Sequence, residues 1–193
     1  MLIEIDYRLF VFLNTAFSNS FFDLIIPQIT NSTNLLLSYF FVSGLHIAMS
    51  KQKVQALKRV VIASILLGLM DWVGHNVIKE IFSRPRPNNI AYFIDGVHVL
   101  FPQCNFLGGA TSTFLSFPSN HALTNAAVTM FWTLFYPKAG FFLLPFTFLI
   151  AFTRIYVGVH YPLDVLFGII LGFGFGYLTY RLTKKMEERK HSR

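Results

Sequence analysis

The feature that most constrains this chain is the length of its uncharged runs. Residues 24–50, 60–70, 96–137, 139–153 and 165–180 contain no Asp, Glu, Lys or Arg. A helix of ~20 mostly apolar residues crosses the ~30 Å hydrocarbon core of a bilayer. Charged residues make up 13% of the chain, about half the ~25% of a soluble domain, and the mean hydropathy is +0.53. Such values exclude a disordered chain and weigh against a soluble globular one. The formal net charge is +7. A basic excess suits either a nucleic-acid partner or a membrane protein with Lys and Arg in its cytoplasmic loops. Here the cations fall in short clusters between long apolar runs, which selects the bilayer and excludes nucleic acid. The single cysteine, Cys104, precludes an intramolecular disulfide and a thiolate metal cage within one chain.

The expected fold is an all-α polytopic membrane helix bundle, in one domain over 1–193. Five spans are predicted, at 34–50, 57–82, 120–135, 139–156 and 162–182, with an N-terminal amphipathic segment over 1–33. Residues 3–17 put Ile5, Leu9, Phe12, Leu13 and Ala16 near one helical face, beside Glu4, Asp6 and Arg8, a pattern of an interfacial helix. Whether it inserts or lies on the surface stays open. Pro27 and the polar run Thr30-Asn31-Ser32-Thr33-Asn34 interrupt the chain before the first span. One long connection, 83–119, follows the second span, and 184–193 form a basic tail. Lys51, Lys53, Lys58 and Arg59, then Lys138, then Lys184, Lys185, Arg189, Lys190 and Arg193 share one side, which the positive-inside rule assigns to the cytoplasm. Lys79, Arg84, Arg86, Arg154 and His160 fall on the opposite side, against that rule, and such intramembrane or outer-side charges are functional candidates.

Three segments meet on that outer side. The first, Lys79 to Pro87, carries Arg84-Pro85-Arg86-Pro87, whose X-Pro bonds force extended backbone and let the cations point together. The second, Phe117-Pro118-Ser119-Asn120-His121, puts Ser119 at a helix N-cap. Free backbone N–H groups there suit an anion. The third runs from Thr153 to Asp164, with His160 and Asp164 four residues apart. One helical turn brings such a carboxylate near an imidazole nitrogen, fixing the tautomer and leaving the other nitrogen as nucleophile or base. Asp71, His75 and Lys79 are also spaced by four. They form either a polar stripe packed between helices or a set that orients Lys79. Gly168, Gly172 and Gly176 mark a close helix contact, within the chain or between chains.

Taken together these segments resemble the type 2 phosphatidic acid phosphatase superfamily of integral-membrane lipid phosphatases. Its signature is Lys, six residues, Arg-Pro; then Pro-Ser-Gly-His; then Ser-Arg, five residues, His, three residues, Asp. The chain offers Lys79, Arg86 and Pro87; Pro118, Ser119 and His121; and Arg154, His160 and Asp164. It departs at Asn120, where the family has Gly, and at Thr153, where the family has Ser. Asn120 either donates a hydrogen bond to the phosphate or narrows its pocket. The spacing favours Arg86 over Arg84 as the phosphate contact.

The resemblance implies a metal-independent hydrolase without cofactor. His160 would be the nucleophile and form a phosphohistidine, Asp164 would orient it, and His121 would protonate the leaving group. Lys79, Arg86, Arg154, Ser119 and the backbone near Asn120 would hold the phosphoryl oxygens. The outer side offers few carboxylates for a metal: Asp95, Asp164, Glu80 and Asp23. Expected partners are the bilayer and a lipid phosphate or diphosphate, foremost lipid A 1-phosphate or undecaprenyl diphosphate. Alternatives are phosphatidylglycerol phosphate, phosphatidic acid, phosphoryl transfer to a second lipid, or a lipid-binding or transport protein of the same fold. The expected location is the inner membrane, with the site facing outward. The loop 88–117, with Asp95, His98, Gly108 and Gly109, would be lid and specificity element.

Overall fold

The computed structural model describes residues 2–89, 96–100 and 115–191; Asp95, Cys104, Gly108 and Gly109 lie outside the described residues. The chain is almost entirely helical. Helix α1 (Leu2–Ala16) meets α2 (Ser20–Ile29) at 112°. Asn19 caps α2, its side chain accepting from the Phe22 N–H at 3.0 Å. Pro27 sits inside α2, not at a break as the sequence suggested. Near the helix end it removes only one internal hydrogen bond. The break comes at Asn31, whose side chain accepts from the N–H groups of Thr33 and Asn34 and starts α3 (Ser32–Met49). Helix α4 (Lys53–Val73) continues through a π-helical turn (Gly74–Ile78) into α5 (Lys79–Phe82). Ser83 then turns left-handed at φ 46° and ends the span. Beyond the long connection lie α6 (Asn120–Phe135), α7 (Pro137–Tyr156) and α8 (Pro162–His191).

Ser32–Met49, Lys53–Phe82, Pro137–Tyr156 and Pro162–Arg189 are each long and apolar enough to cross a membrane, and the bent α1–α2 pair passes as a further, broken span. Helix α6, with 16 residues, reaches only about 24 Å, but it is the core of the bundle. Its Ala122, Leu123, Ala126, Ala127 and Phe131 are fully buried. The five expected helices thus occur as α3, α4–α5, α6, α7 and α8, but only four of them are long enough to be spans; α6 is not, and the candidate for a fifth span is the bent α1–α2 pair. Helix α8 runs on to His191 instead of ending near 182. Its extension is tied back by Glu187, which accepts a bidentate pair from Arg59 at 2.8 and 2.9 Å.

The α6–α8 contact explains the glycine stripe. A Cβ on Gly168 would stand 2.8 Å from the Ser119 carbonyl oxygen, and one on Gly172 would stand 2.7 Å from the Ala126 Cβ. Small residues let helix backbones approach where lipid offers no hydrophobic drive for association. The stripe therefore serves a contact within the chain. Large apolar side chains such as Phe41, Ile65, Phe141 and Phe142 stay exposed, as a lipid-facing surface requires.

Helix α1 forms with its apolar face outward, and adds a buried polar face that the sequence reading missed. Ile5, Leu9 and Phe12 are exposed, whereas Asp6, Phe10 and Asn14 are buried. In a lipid solvent the apolar face turns outward, and polar groups gain by pairing inside the protein. Asn14 Nδ2 lies 2.8 to 3.0 Å from the carbonyls of His98, Ile155 and Tyr156, and its Oδ1 accepts from the His98 N–H at 2.7 Å. Asp6 Oδ1 accepts from the Leu163 N–H at 2.8 Å. So α1 clamps the turn between α7 and α8 that carries His160.

Candidate active site

At one end of the bundle, the ends of α4–α5 and α7 and the starts of α3 and α6 border a cavity of about 400 Å³. Lys79, Arg86, His121, Arg154 and His160 line its polar end. The three sequence segments therefore converge on one space. Lys79 follows the π-helical turn and is 1% exposed. Arg86 Nε donates to the Leu115 carbonyl at 3.1 Å, beside the isolated bridge between Pro85 and Leu115. Burial pushes the Arg86 guanidinium down to about 10, with Asp164 opposing, so it stays charged at neutral pH. Arg154 Nη1 donates to Thr30 Oγ1 at 2.7 Å, while its Nε has no partner.

His160 is 2% exposed. Burial first, then the charges of Arg86, Arg154 and Lys79, hold its imidazole well below the usual 6.5, because each disfavours a further positive charge. The ring is neutral at pH 7. Its Nδ1 lies 3.7 Å from Asp164 Oδ2, beyond hydrogen-bond reach, and has no partner. The expected His160–Asp164 hydrogen bond is thus an approach rather than a bond, because Asp164 is engaged elsewhere. Its Oδ1 accepts from Arg84 Nη1 at 2.7 Å and its Oδ2 from the Tyr161 N–H at 2.8 Å.

Arg84 and Arg86 divide their work. Arg84 lies behind the site, bridging Asp164 and Asp6 (2.5 Å to Asp6 Oδ2) and stacking 4.0 Å from the Tyr161 ring centroid. Arg86 lines the cavity. His121 Nε2 is 3.1 Å from the Thr30 carbonyl and 3.2 Å from Ser32 Oγ. Hydrogen bonding to a carbonyl assigns the proton to Nε2 and leaves Nδ1 as the second site.

Ser119 occupies the N-cap position of α6, yet its side chain makes no capping bond. Its N–H donates to the Asp164 carbonyl at 3.0 Å, and its Oγ is buried without a partner. Asn120 turns its side chain toward α4. Its Nδ2 donates to the Asp71 carbonyl at 3.0 Å and to Asp71 Oδ1 at 3.1 Å, and it contacts His75 Nδ1. It fills the space above Gly74, where a Cβ would collide with the Asn120 amide. The side chain therefore bonds to α4 while it lines the cavity.

Ser119 Oγ–H and Arg154 Nε–H are thus buried donors with nothing to bond. Such groups are costly unless a ligand or water meets them, and a phosphoryl group would. Among the described residues no three His, Cys, Asp or Glu side chains group in a way that would hold a metal ion. Sequence reasoning missed Asp6, Asn14, Thr30 and Ser32. The signal for the first two was their spacing of eight, about two helical turns, which puts both on one face of α1 with Phe10 between them.

The sequence profile described as the PAP2 superfamily matches residues 56–188. Undecaprenyl-diphosphatase BcrC of Bacillus subtilis is 31% identical over 129 residues, covering 67% of this chain and 60% of that protein. A lipid A 4'-phosphatase of Bacteroides thetaiotaomicron is 26% identical over 198 residues, covering 98% of this chain and 81% of that protein. The crystal structure of Aquifex aeolicus LpxE superimposes with a TM-score of 0.64 at 23% identity, covering 92% of this chain and 95% of that one; this likeness shows the fold.

Proposed function

Since the chain belongs to the PAP2 superfamily, we propose that it is a metal-independent membrane phosphatase acting on a lipid phosphate or diphosphate. The observation that carries this reading is the convergence of three cations and two imidazoles on one cavity at one end of the bundle, with the Arg154 Nε–H buried and unpartnered. Phosphoryl transfer spreads charge over three equatorial oxygens, so catalysis is mostly positioning and electrostatic stabilisation. Lys79, Arg86 and Arg154 supply that charge, with Ser119 Oγ and the first N–H groups of α6 as further donors.

In the first step the His160 Nε2 lone pair attacks phosphorus, and the bond from phosphorus to the lipid oxygen breaks. The leaving oxygen takes the Nδ1 proton of His121 in its imidazolium form, which leaves that ring neutral with its remaining proton on Nε2. As Nε2 gains its phosphoryl group, positive charge builds on the ring, and the Asp164 carboxylate near Nδ1 stabilises it. Catalytic hydrogen bonds are often long without substrate and tighten in the complex. In the second step water attacks phosphorus, gives a proton to His121, and the phosphorus–nitrogen bond breaks to release His160 and inorganic phosphate.

The opposite end of the bundle gathers Lys51, Lys53, Lys58, Arg59, Lys138 and the α8 tail. Positive flanks favour the cytoplasm, so this reading puts the site at the outer face of the inner membrane. Substrates in keeping with the relatives are lipid A phosphates and undecaprenyl diphosphate. Purified protein in detergent should release inorganic phosphate from such lipids, and excess EDTA should leave the rate unchanged. Loss of activity in EDTA that only a divalent ion restores contradicts the reading. Label appearing on a second lipid instead of in water would make the protein a phosphotransferase.

A further inference from the structure

Asp71, His75 and Lys79 are spaced by four and all border the cavity. A regular α-helix would not keep them in line, because eight residues at about 100° each carry Lys79 about 80° round the axis from Asp71. The π-helical turn Gly74–Ile78 lies between them. It admits about one extra residue, which sets Lys79 back by about 100°. Lys79 then stands within about 20° of Asp71, on the face that borders the site. Its N–H donates to the Gly74 carbonyl, five residues back. Such a wider turn loosens the carbonyls at its entry, and side chains meet them here. Asn76 Nδ2 donates to the Trp72 carbonyl at 2.9 Å. Asn120 Nδ2, from α6, donates to the Asp71 carbonyl at 3.0 Å and to Asp71 Oδ1 at 3.1 Å, and touches His75 Nδ1. The Asp71 carboxylate is half exposed and pairs with His75 at 3.3 Å. Asn120 itself is buried, and its amide lies where a Cβ on Gly74 would overlap it. The two positions fit as one unit, a side chain at 120 and none at 74.

We propose that Asn120 is a positioning residue: by bracing the Gly74–Ile78 turn it holds Lys79 toward the phosphoryl group. This rests on the phosphatase reading. The Asn120 amide nitrogen is engaged with α4, and its Oδ1 is an acceptor, which a phosphoryl oxygen cannot meet. Its effect on the reaction therefore passes through Lys79. Asn120 is also the first residue of α6, between Ser119 and His121, so one side chain sets the spacing between the segment that carries Lys79 and the one that carries His121. Without it the Asp71 carbonyl loses a donor and the space above Gly74 opens. A regular α-helix then becomes the better arrangement, and Lys79 turns away from the cavity.

A double-mutant cycle tests this, read as kcat/KM for dioctanoyl phosphatidic acid and for undecaprenyl diphosphate in detergent. Asn120→Gly should lower kcat/KM about tenfold in the wild-type background, as for a lost buried hydrogen bond. In the Lys79→Ala background, with no ammonium left to misplace, the same change should cost less than about twofold. A merely structural role would cost the same in both. Gly74→Ala, which pushes the amide away, should repeat the pattern, and Gly74→Ala combined with Asn120→Gly should be no worse than either alone. Equal losses in the two Lys79 backgrounds, or no loss from either single substitution, overturn the inference and leave the phosphatase reading intact. Should the Asn120→Gly protein not elute as the wild type does, Gly74→Ala carries the same cycle from the other side of the contact. If the wild type releases phosphate from neither lipid, the phosphatase reading falls and takes the inference with it.

Discussion

At the residue scale, the account turns on His160 being neutral and His121 being able to exchange a proton. His160→Ala should abolish phosphate release, and a variant keeping near wild-type rate contradicts the nucleophile assignment. His121→Ala should lower kcat by about 10²–10⁴-fold, the span usual for general acid–base catalysis. The pH dependence follows from burial and the surrounding cations. Because the His160 pKa is held well below 6.5, the ring stays unprotonated as the medium becomes acidic. The loss of kcat/KM due to the nucleophile should therefore lie at lower pH than a free imidazole would give. On the alkaline side, Arg86 is pushed down to about 10, so phosphate binding should weaken as the pH rises through that value and the charge is lost. A rate profile measured from pH 4 to pH 11, the limits set at about the ionisation ranges of carboxylates and amines, checks both limbs. An acid limb at the ordinary imidazole value contradicts the assignment.

At the element scale, α1 and the α6–α8 contact set the geometry of the site. Arg84 holds two carboxylates, Asp6 and Asp164, whose side chains are 1% and 0% exposed. Arg84→Ala strands both, and removing one partner of a buried pair costs about 3–5 kcal/mol. Thermal unfolding in detergent should drop accordingly, with activity lost alongside, whereas an unchanged midpoint would mean that the pair is hydrated and α1 dispensable. Gly172→Leu should separate α6 from α8 and destabilise the protein, since even a Cβ there meets the α6 backbone. The spans and the three signature segments were legible because uncharged length and residue spacing are local properties. The α1 clamp was not, because a buried Asp6 in a lipid-facing helix has the same sequence signature as an Asp6 at the headgroups. The role of Arg84 was hidden for a related reason: two arginines on one extended segment differ only in which way each points. The turn of Asn120 toward Gly74 depended on a π-helical turn that no pattern in residues 74–78 announces.

At the scale of the whole molecule, the bundle has a cationic but partner-rich end and an end that holds a cavity. Arg59, Glu187 and Tyr136 close the first by hydrogen bonds of 2.8 to 2.9 Å. The second gathers Lys79, Arg86 and Arg154 around a cavity. This polarity is what a lipid phosphatase needs: an anchored, closed base and an open, positively charged mouth level with the headgroups. Cysteines introduced singly at exposed Ser83 and Met49 should report it, after replacement of the native Cys104, through an impermeant thiol reagent applied to intact cells. Labelling of Ser83→Cys alone agrees with an outward-facing site; labelling of Met49→Cys alone reverses the orientation. The most direct test of the central claim is to capture the covalent intermediate. Protein mixed with a lipid phosphate, quenched in alkali and digested, should yield one added phosphoryl group on the peptide that contains His160, with none in the His160→Ala protein. Phosphate release by the wild type with that peptide unmodified under every quench time, or with the phosphoryl group on another residue, would contradict the mechanism.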